Sequence, residues 1–474
     1  MKNNKLALTA LAAALVAGCG GSDDSVSFNT PTFDARNLHY TYPLDNQQQV
    51  APRAIIALQF SHEVTADASN FTVTGPDDEA VPFTLESVAD GRGVVLTPDD
   101  ALKPASDYKV VMNGVTVLGE TTTFKDGTLN FTTRAALEGP IETQKPAASF
   151  EVESIFPDDG QFKSMDFSSF RLRTTHPIDA SSAVYGDTIS LMNNGEVVPA
   201  LLLVGRTTIT VDPLEDMTPG DTYELSVNGV KSQLGEDIAA YSHSTVPQDT
   251  TSPTTGERAV LVTNAPPADD SLGCLDDGVR LSELTGQPIN CVPVIGTLLQ
   301  DKTVSKQSGD VYAELAFTPN FPDVTPLRVQ RGGILKGDAL EVFIGGEVPV
   351  GFDSGEVTVE IISDATGYLF PNPNAESDDA PKQLRLFMDV ATSTTDARAN
   401  GAFTQNLMHL ELVGTGLIED GQLNTDAITV VEPRVLGVEN SYGVLSFRME
   451  SYQYQENAPL KPGEAINPFA PVLD

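Results

Sequence analysis

The chain opens with an apolar run from Leu6 to Val16, preceded by Lys2 and Lys5 and followed by a polar tract that reaches about Arg36. The run is too short to cross a bilayer as a helix. The tract after it has nothing to bury, which predicts a flexible tether. From Leu38 the pattern becomes short runs rich in Val, Ile, Thr and Phe, separated by Pro, Gly, Asp and Asn, and no stretch carries a convincing helical period. Such runs predict strands and turns. Ala54 to Phe60 is apolar on both faces and reads as a central strand, whereas Asp107 to Met112 reads as half buried. Beyond Arg258 the strands expected are Val260 to Thr263, Val311 to Phe317, Ala339 to Ile344, Glu356 to Ile362, Gln383 to Val390, Asn406 to Val413, Ala427 to Val431 and Gly443 to Glu450. Leu384, Leu386 and Met388 fall on one side of theirs, with Arg385 and Phe387 opposite. An all-β chain follows, ending in a larger, jelly-roll-like double sheet.

The same pattern occurs twice. A shift of 115 residues superposes Pro98 on Pro213, Pro104 on Pro219, Tyr108 on Tyr223 and Asn113-Gly114-Val115 on Asn228-Gly229-Val230. A shift of 114 superposes Tyr42-Pro43 on Phe156-Pro157 and Ser61-His62 on Thr175-His176, so the one-residue difference falls in loops. The segments 135–149 and 247–257, rich in Pro, Thr, Gln and Ala, read as linkers. The domain plan is therefore a signal at 1–18, a tether at 19–36, a first β domain at 37–134, a second at 150–246 and a C-terminal β domain at 258–474.

Each repeat resembles the bacterial Ig-like domain of S-layer and surface proteins, the SbsA-like or Big_5 type. The resemblance rests on an opening Pro-x-Asx turn (Pro43 to Asn46; Pro157 to Gly160), a strand ending in Phe60-Ser61, and Thr97-Pro98 or Asp212-Pro213 after a strand. It continues through Leu102 to Tyr108 or Met217 to Tyr223 and closes on Phe131-Thr132-Thr133. The second copy departs at two of these places, with Arg173-Thr174-Thr175 and Ser242 to Thr245. The resemblance implies tandem sandwiches of about seven strands, a fold that spaces and presents and does not by itself catalyse.

Leu15-Val16-Ala17-Gly18-Cys19 resembles a bacterial lipobox. That resemblance implies cleavage before Cys19, lipidation of its thiol, and attachment to a membrane by lipid alone. Gly20, in place of an Asp, implies the outer membrane, on either its periplasmic or its cell-surface face. An ordinary secretory signal with Cys19 incidental is the alternative.

Charge narrows the partners. The chain has 28 Lys plus Arg against 66 Asp plus Glu, a formal net charge of −38, and loss of the two signal lysines makes it −40. Such a surface repels phosphate backbones and anionic lipid, so nucleic acid is disfavoured as a partner, peripheral membrane binding by basic patches is excluded, and divalent cations are the natural counterions. Cys274 and Cys291 are the only thiols besides Cys19. In an oxidising compartment they are expected to pair, and a disulfide closing so short a loop stabilises by about 3 kcal/mol.

Candidate chemistry is sparse. The five histidines, His39, His62, His176, His243 and His409, lie in no Gly-x-Ser-x-Gly or His-Glu-x-x-His motif. His62 and His176 occupy matching repeat positions, which points to scaffold. His409 alternates with Met408 and Leu410 on a strand. Carboxylates are too abundant for a glycosidase pair to stand out. No cofactor is expected. Calcium is the one small ligand the composition suits, with Asp269, Asp270, Asp276, Asp277, Asp378 and Asp379 as candidate donors, though none lies in a spaced D-x-D-x-D-G register. Tyr452 and Tyr454 share a strand face that could stack on a sugar. The function expected is therefore non-enzymatic. The two Ig-like repeats act as spacers presenting residues 258–474 to an envelope protein or glycan, for adhesion, envelope organisation or docking. A carbohydrate-binding or degradative accessory lipoprotein is the alternative, and a hydrolase comes third.

Overall fold

The computed structural model of the chain describes residues 36–134, 149–264 and, with short interruptions, 281–453. Among them every regular element longer than three residues is a strand, as the short β-rich runs predict. The first sandwich has one antiparallel sheet in the order Leu38–Tyr42, Ile56–Phe60, Gly93–Pro98, Phe83–Val88. The second repeats this order with Val152–Phe156, Phe170–Thr174, Thr208–Pro213 and Ala200–Val204.

Local bonds repeat with the topology. The Tyr108 hydroxyl accepts from the Lys103 N–H at 2.6 Å, and Tyr223 accepts from Thr218 at 2.9 Å. Ser61 Oγ accepts from the Asn37 N–H at 2.9 Å, and Thr175 Oγ1 from Glu151 at 3.0 Å. Those two hydroxyls, which tie the strand ends together, also bond the Nδ1 atoms of His62 and His176, at 2.8 and 3.1 Å. Tyr42–Pro43 and Phe156–Pro157 are both cis. The Asn-Gly turns use φ of +68° at Gly114 and +84° at Gly229, a region that favours glycine. The facing sheets differ, because only the first sandwich adds a parallel strand, Gln47–Val50, beside Gly127–Thr133.

The C-terminal region refines the double-sheet expectation. Its main strands form one ten-stranded sheet, and eight of them close into an antiparallel ring that follows chain order. The ring runs Ala259–Asn264, Asp310–Leu315, Thr325–Val329, Ala365–Phe370, Lys382–Thr394, Gln405–Glu419, Gln422–Val431 and Gly443–Gln453, whose last residues pair with the first strand. Closing the first strand on the last removes both sheet edges, the liability an open sheet carries. Val357–Ile361 and Ile334–Gly337 continue the sheet beyond the ring. Two ring strands, Thr325–Val329 and Ala365–Phe370, were not among those expected, and Pro326 inside the first of them weakens its strand signal.

The ring is filled. Leu384, Leu386, Met388 and Val390 point inward with Leu261, Val311, Val329 and Leu369, and this buried cluster is wholly aliphatic. A Cβ on Gly416 would lie 2.2 Å from Leu369 Cδ2, so glycine there lets the opposite leucine fill the middle. An eight-stranded barrel is just wide enough to be filled this way.

The sandwiches are not detached from the barrel. Phe156 and Phe162 pack on Tyr368, Phe370 and Phe387 of the barrel's outer face, with ring centroids 4.2 Å apart for Phe156–Phe387 and 5.1 Å for Phe162–Tyr368. Tyr40 is fully buried and its hydroxyl donates to the Val413 carbonyl at 3.0 Å. The 247–257 stretch, read as a linker, is built in as well: Thr250 is fully buried and its hydroxyl donates to Asp166 at 2.6 Å. Segment 135–148 lies outside the described residues.

Candidate functional site

On Phe170–Thr174 the alternation sends Phe170 and Leu172 into the second sandwich's core, and Arg171 and Arg173 to the opposite face. Thr210 lies directly across from Arg171, and Thr208 across from Arg173, so all four share that face. The barrel strands bring up Asp389 opposite His409 and Phe387 opposite Glu411, on the outer side of the aliphatic interior. The first sandwich supplies Tyr42, Gln49, Val50 and Arg134. Together these line a cleft of about 170 Å³ where the two sandwiches and the barrel meet.

Arg171 is fully engaged at both terminal nitrogens. Nη2 lies 3.0 Å from Asp389 and donates to Ser363 Oγ and the Asp364 carbonyl, each at 2.9 Å, while Nη1 donates to Ser169 at 2.7 Å. Asp389 is fully buried and also accepts from Ser363 at 2.5 Å and contacts His409 Nδ1. Burial alone would raise its carboxyl pKa, but Arg171 and then His409 hold it well below the ordinary range. Glu411 is likewise matched, by Arg385 at 2.7 Å.

Arg173 differs. Among the described residues no carboxylate lies within ion-pair distance of it, and its one hydrogen bond goes to Gln49 Oε1 at 3.3 Å. Burial lowers its pKa, and Arg134 and Arg385 add to this against Glu411 and Glu153. Two neighbours also have unmet capacity: His409 Nε2 and Thr208 Oγ1 are buried without a hydrogen-bond partner among the described residues. Gly205 lies beside both. A Cβ there would sit 2.4 Å from Thr208 Oγ1 and 2.5 Å from His409 Nε2, so any larger residue would take that space.

A second polar cluster seals the same junction further along the barrel. Arg331 reaches Asp212 at 2.8 Å, and Arg328 and Arg258 both reach Asp216 at 2.7 Å. Burial raises the Asp212 pKa to about 7, helped by neighbouring Asp364 and opposed by Arg331. Every member is matched by an opposite charge, which marks this cluster as a seam.

Of the residues singled out in the sequence, Cys19, Cys274, Asp269, Asp270, Asp276, Asp277, Asp378, Asp379 and Tyr454 lie outside the described residues. Cys291 opens the strand Cys291–Gly296 and Tyr452 lies in the last ring strand. Among the described residues no group of three or more His, Cys, Asp or Glu converges as a metal site would require, and no helix is long and apolar enough to cross a membrane. His409 is the one histidine brought into the cleft. Arg171, Arg173, Thr208 and Asp389 went unnoticed, because polar residues alternating with apolar ones on a strand read as a solvated face. Comparing the repeats exposes the two arginines: where the second has Arg171, Arg173 and Thr210, the first has Ala57, Gln59 and Val95.

The bacterial Ig-like family, Big_5, matches residues 34–133. Those residues form a bacterial Ig-like domain. The second sandwich shares the strand order of this Ig-like domain's first sheet. Over its length the chain is similar to alkane uptake protein B of Marinobacter nauticus, 33% identical over 487 aligned residues that cover 95% of this chain and 44% of that protein. An S-layer protein of Geobacillus stearothermophilus is 23% identical over 271 residues, covering 52% of this chain and 21% of that one. The chain thus spans less than half the length of either relative. The crystal structure of the N-terminal part of the S-layer protein SbsC aligns with 36% of this chain and 41% of that one, at 16% identity and a TM-score of 0.19.

Proposed function

We propose that this is a non-enzymatic protein of the bacterial envelope that serves the uptake of alkanes, held to the outer membrane by a lipid on Cys19. The observation that carries the reading is the 33% identity to alkane uptake protein B across 95% of the chain. The packing supports a binding or organising part over a conduit, since the barrel interior is filled with aliphatic side chains. It also changes the division of labour expected from the sequence. The Ig-like domain and its neighbour are buried against the barrel, so they shape the unit that meets a partner. An envelope protein is the partner the acidic surface and the S-layer likeness favour. Cys274 and Cys291 belong to the same reading as a disulfide formed outside the cytoplasm, which mass spectrometry of a non-reduced digest would detect.

Deleting the gene and following a radiolabelled long-chain alkane beside radiolabelled acetate tests the function. Uptake of the alkane should fall, acetate uptake should not, and the intact gene should restore the first while Cys19→Ala restores it poorly. Unchanged alkane uptake in the deletion strain would contradict the proposal. Labelling with a palmitate analogue addresses the anchor separately, with incorporation expected in the natural protein and absent from Cys19→Ala.

A further inference from the structure

We infer that the cleft around Arg173 is a binding site for a small monocarboxylate. This does not depend on the uptake reading. An arginine taken out of water without a carboxylate is costly, and the structure keeps one here while matching the neighbouring charges. Asp389 is neutralised by Arg171 at 3.0 Å and Glu411 by Arg385 at 2.7 Å. That leaves the Arg173 guanidinium, with one bond to Gln49 at 3.3 Å, as a charged donor facing the cleft. Beside it, Thr208 Oγ1 and His409 Nε2 are buried without partners among the described residues. A charged donor with spare capacity on the cleft wall is what a ligand's polar end would satisfy.

The rest of the lining selects the class. A guanidinium presents parallel N–H donors that fit the two oxygens of a carboxylate. Two protein carboxylates nearby, within a chain of net charge −38, oppose a dianion such as phosphate more than a monoanion. Phe387, Val430 and Val50 provide an apolar wall for a short hydrocarbon body, and about 170 Å³ accommodates one. The ligand is therefore a monocarboxylate with a small apolar part, its oxygens on Arg173.

Isothermal titration of the purified full chain with butyrate, butanol and inorganic phosphate tests this. Butyrate should bind, butanol should not, and Arg173→Gln should weaken butyrate by about tenfold or more, the usual scale for losing a charged hydrogen bond. No heat with butyrate, tighter binding of phosphate than of butyrate, or undiminished binding by a folded Arg173→Gln would each overturn the assignment. A crystal of the natural protein soaked in butyrate gives a check that does not rely on the variant's folding. The carboxylate should lie on Arg173, and its lying only elsewhere would refute the site.

Discussion

The two sandwiches share a strand order and meet the same barrel, yet they do so by different chemistry. At matching positions the first presents Ala57, Gln59 and Val95, and the second Arg171, Arg173 and Thr210. The first joins the barrel through a continuous apolar cluster that takes in Val413 and Ile428 and through the Tyr40 hydroxyl on Val413. The second adds to the aromatic packing of Phe156 and Phe162 a set of ion pairs and hydrogen bonds centred on Asp389, Asp212 and Asp216. An apolar seam tolerates small shifts, whereas a buried polar seam is stable only when each group is matched. The second seam therefore fixes orientation, and Arg173 is the member that has no carboxylate partner among the described residues.

The largest way to separate the two seams is Asp389→Ala, which leaves Arg171 buried without its carboxylate. Breaking a buried pair costs about 3–5 kcal/mol. Urea unfolding should show a loss of that size, concentrated in the second sandwich and barrel.

A smaller effect distinguishes the seams by pH. Asp212 has a folded pKa of about 7, above its ordinary 3.8, so its contribution to stability is fullest below 3.8 and is lost as pH rises through about 7. His39, buried in the first sandwich, is lowered from 6.5 to about 4 by burial, then by His62 and Arg92. Its contribution is fullest above 6.5 and is lost as pH falls through about 4. The two repeats should thus respond to pH in opposite directions. Melting curves between pH 5 and 8 should show an alkaline decline of the second seam that Asp212→Asn flattens.

Much of this was visible in the residues. The repeats followed from Pro98 and Pro213 and from Tyr108 and Tyr223, because turns and a bonded tyrosine tolerate few substitutes. The inward set Leu384, Leu386 and Met388 followed from alternation. Ring closure did not, since pairing between Ala259–Asn264 and Gly443–Gln453 joins ends far apart in sequence. The burial of Arg171 and Asp389 did not either, because strand period tells which residues share a face and not what covers it.

Two lesser tests sharpen the contrast. Gly114→Val and Gly229→Val place a β-branched residue at φ of +68° and +84° and should each cost about 1 kcal/mol or more, equally in both repeats, without altering either seam. Tyr40→Phe removes the bond to Val413 and should cost about 1 kcal/mol, well below Asp389→Ala, because the apolar seam remains. Denaturant midpoints of the three variants rank these effects directly.

The central claim is that sandwiches and barrel form one body. Scanning calorimetry of the full chain tests it most directly. One cooperative transition, from which Asp389→Ala releases the second sandwich as a separate lower-temperature step, is the predicted result. Independent transitions in the natural protein, unmoved by Asp389→Ala, would contradict it.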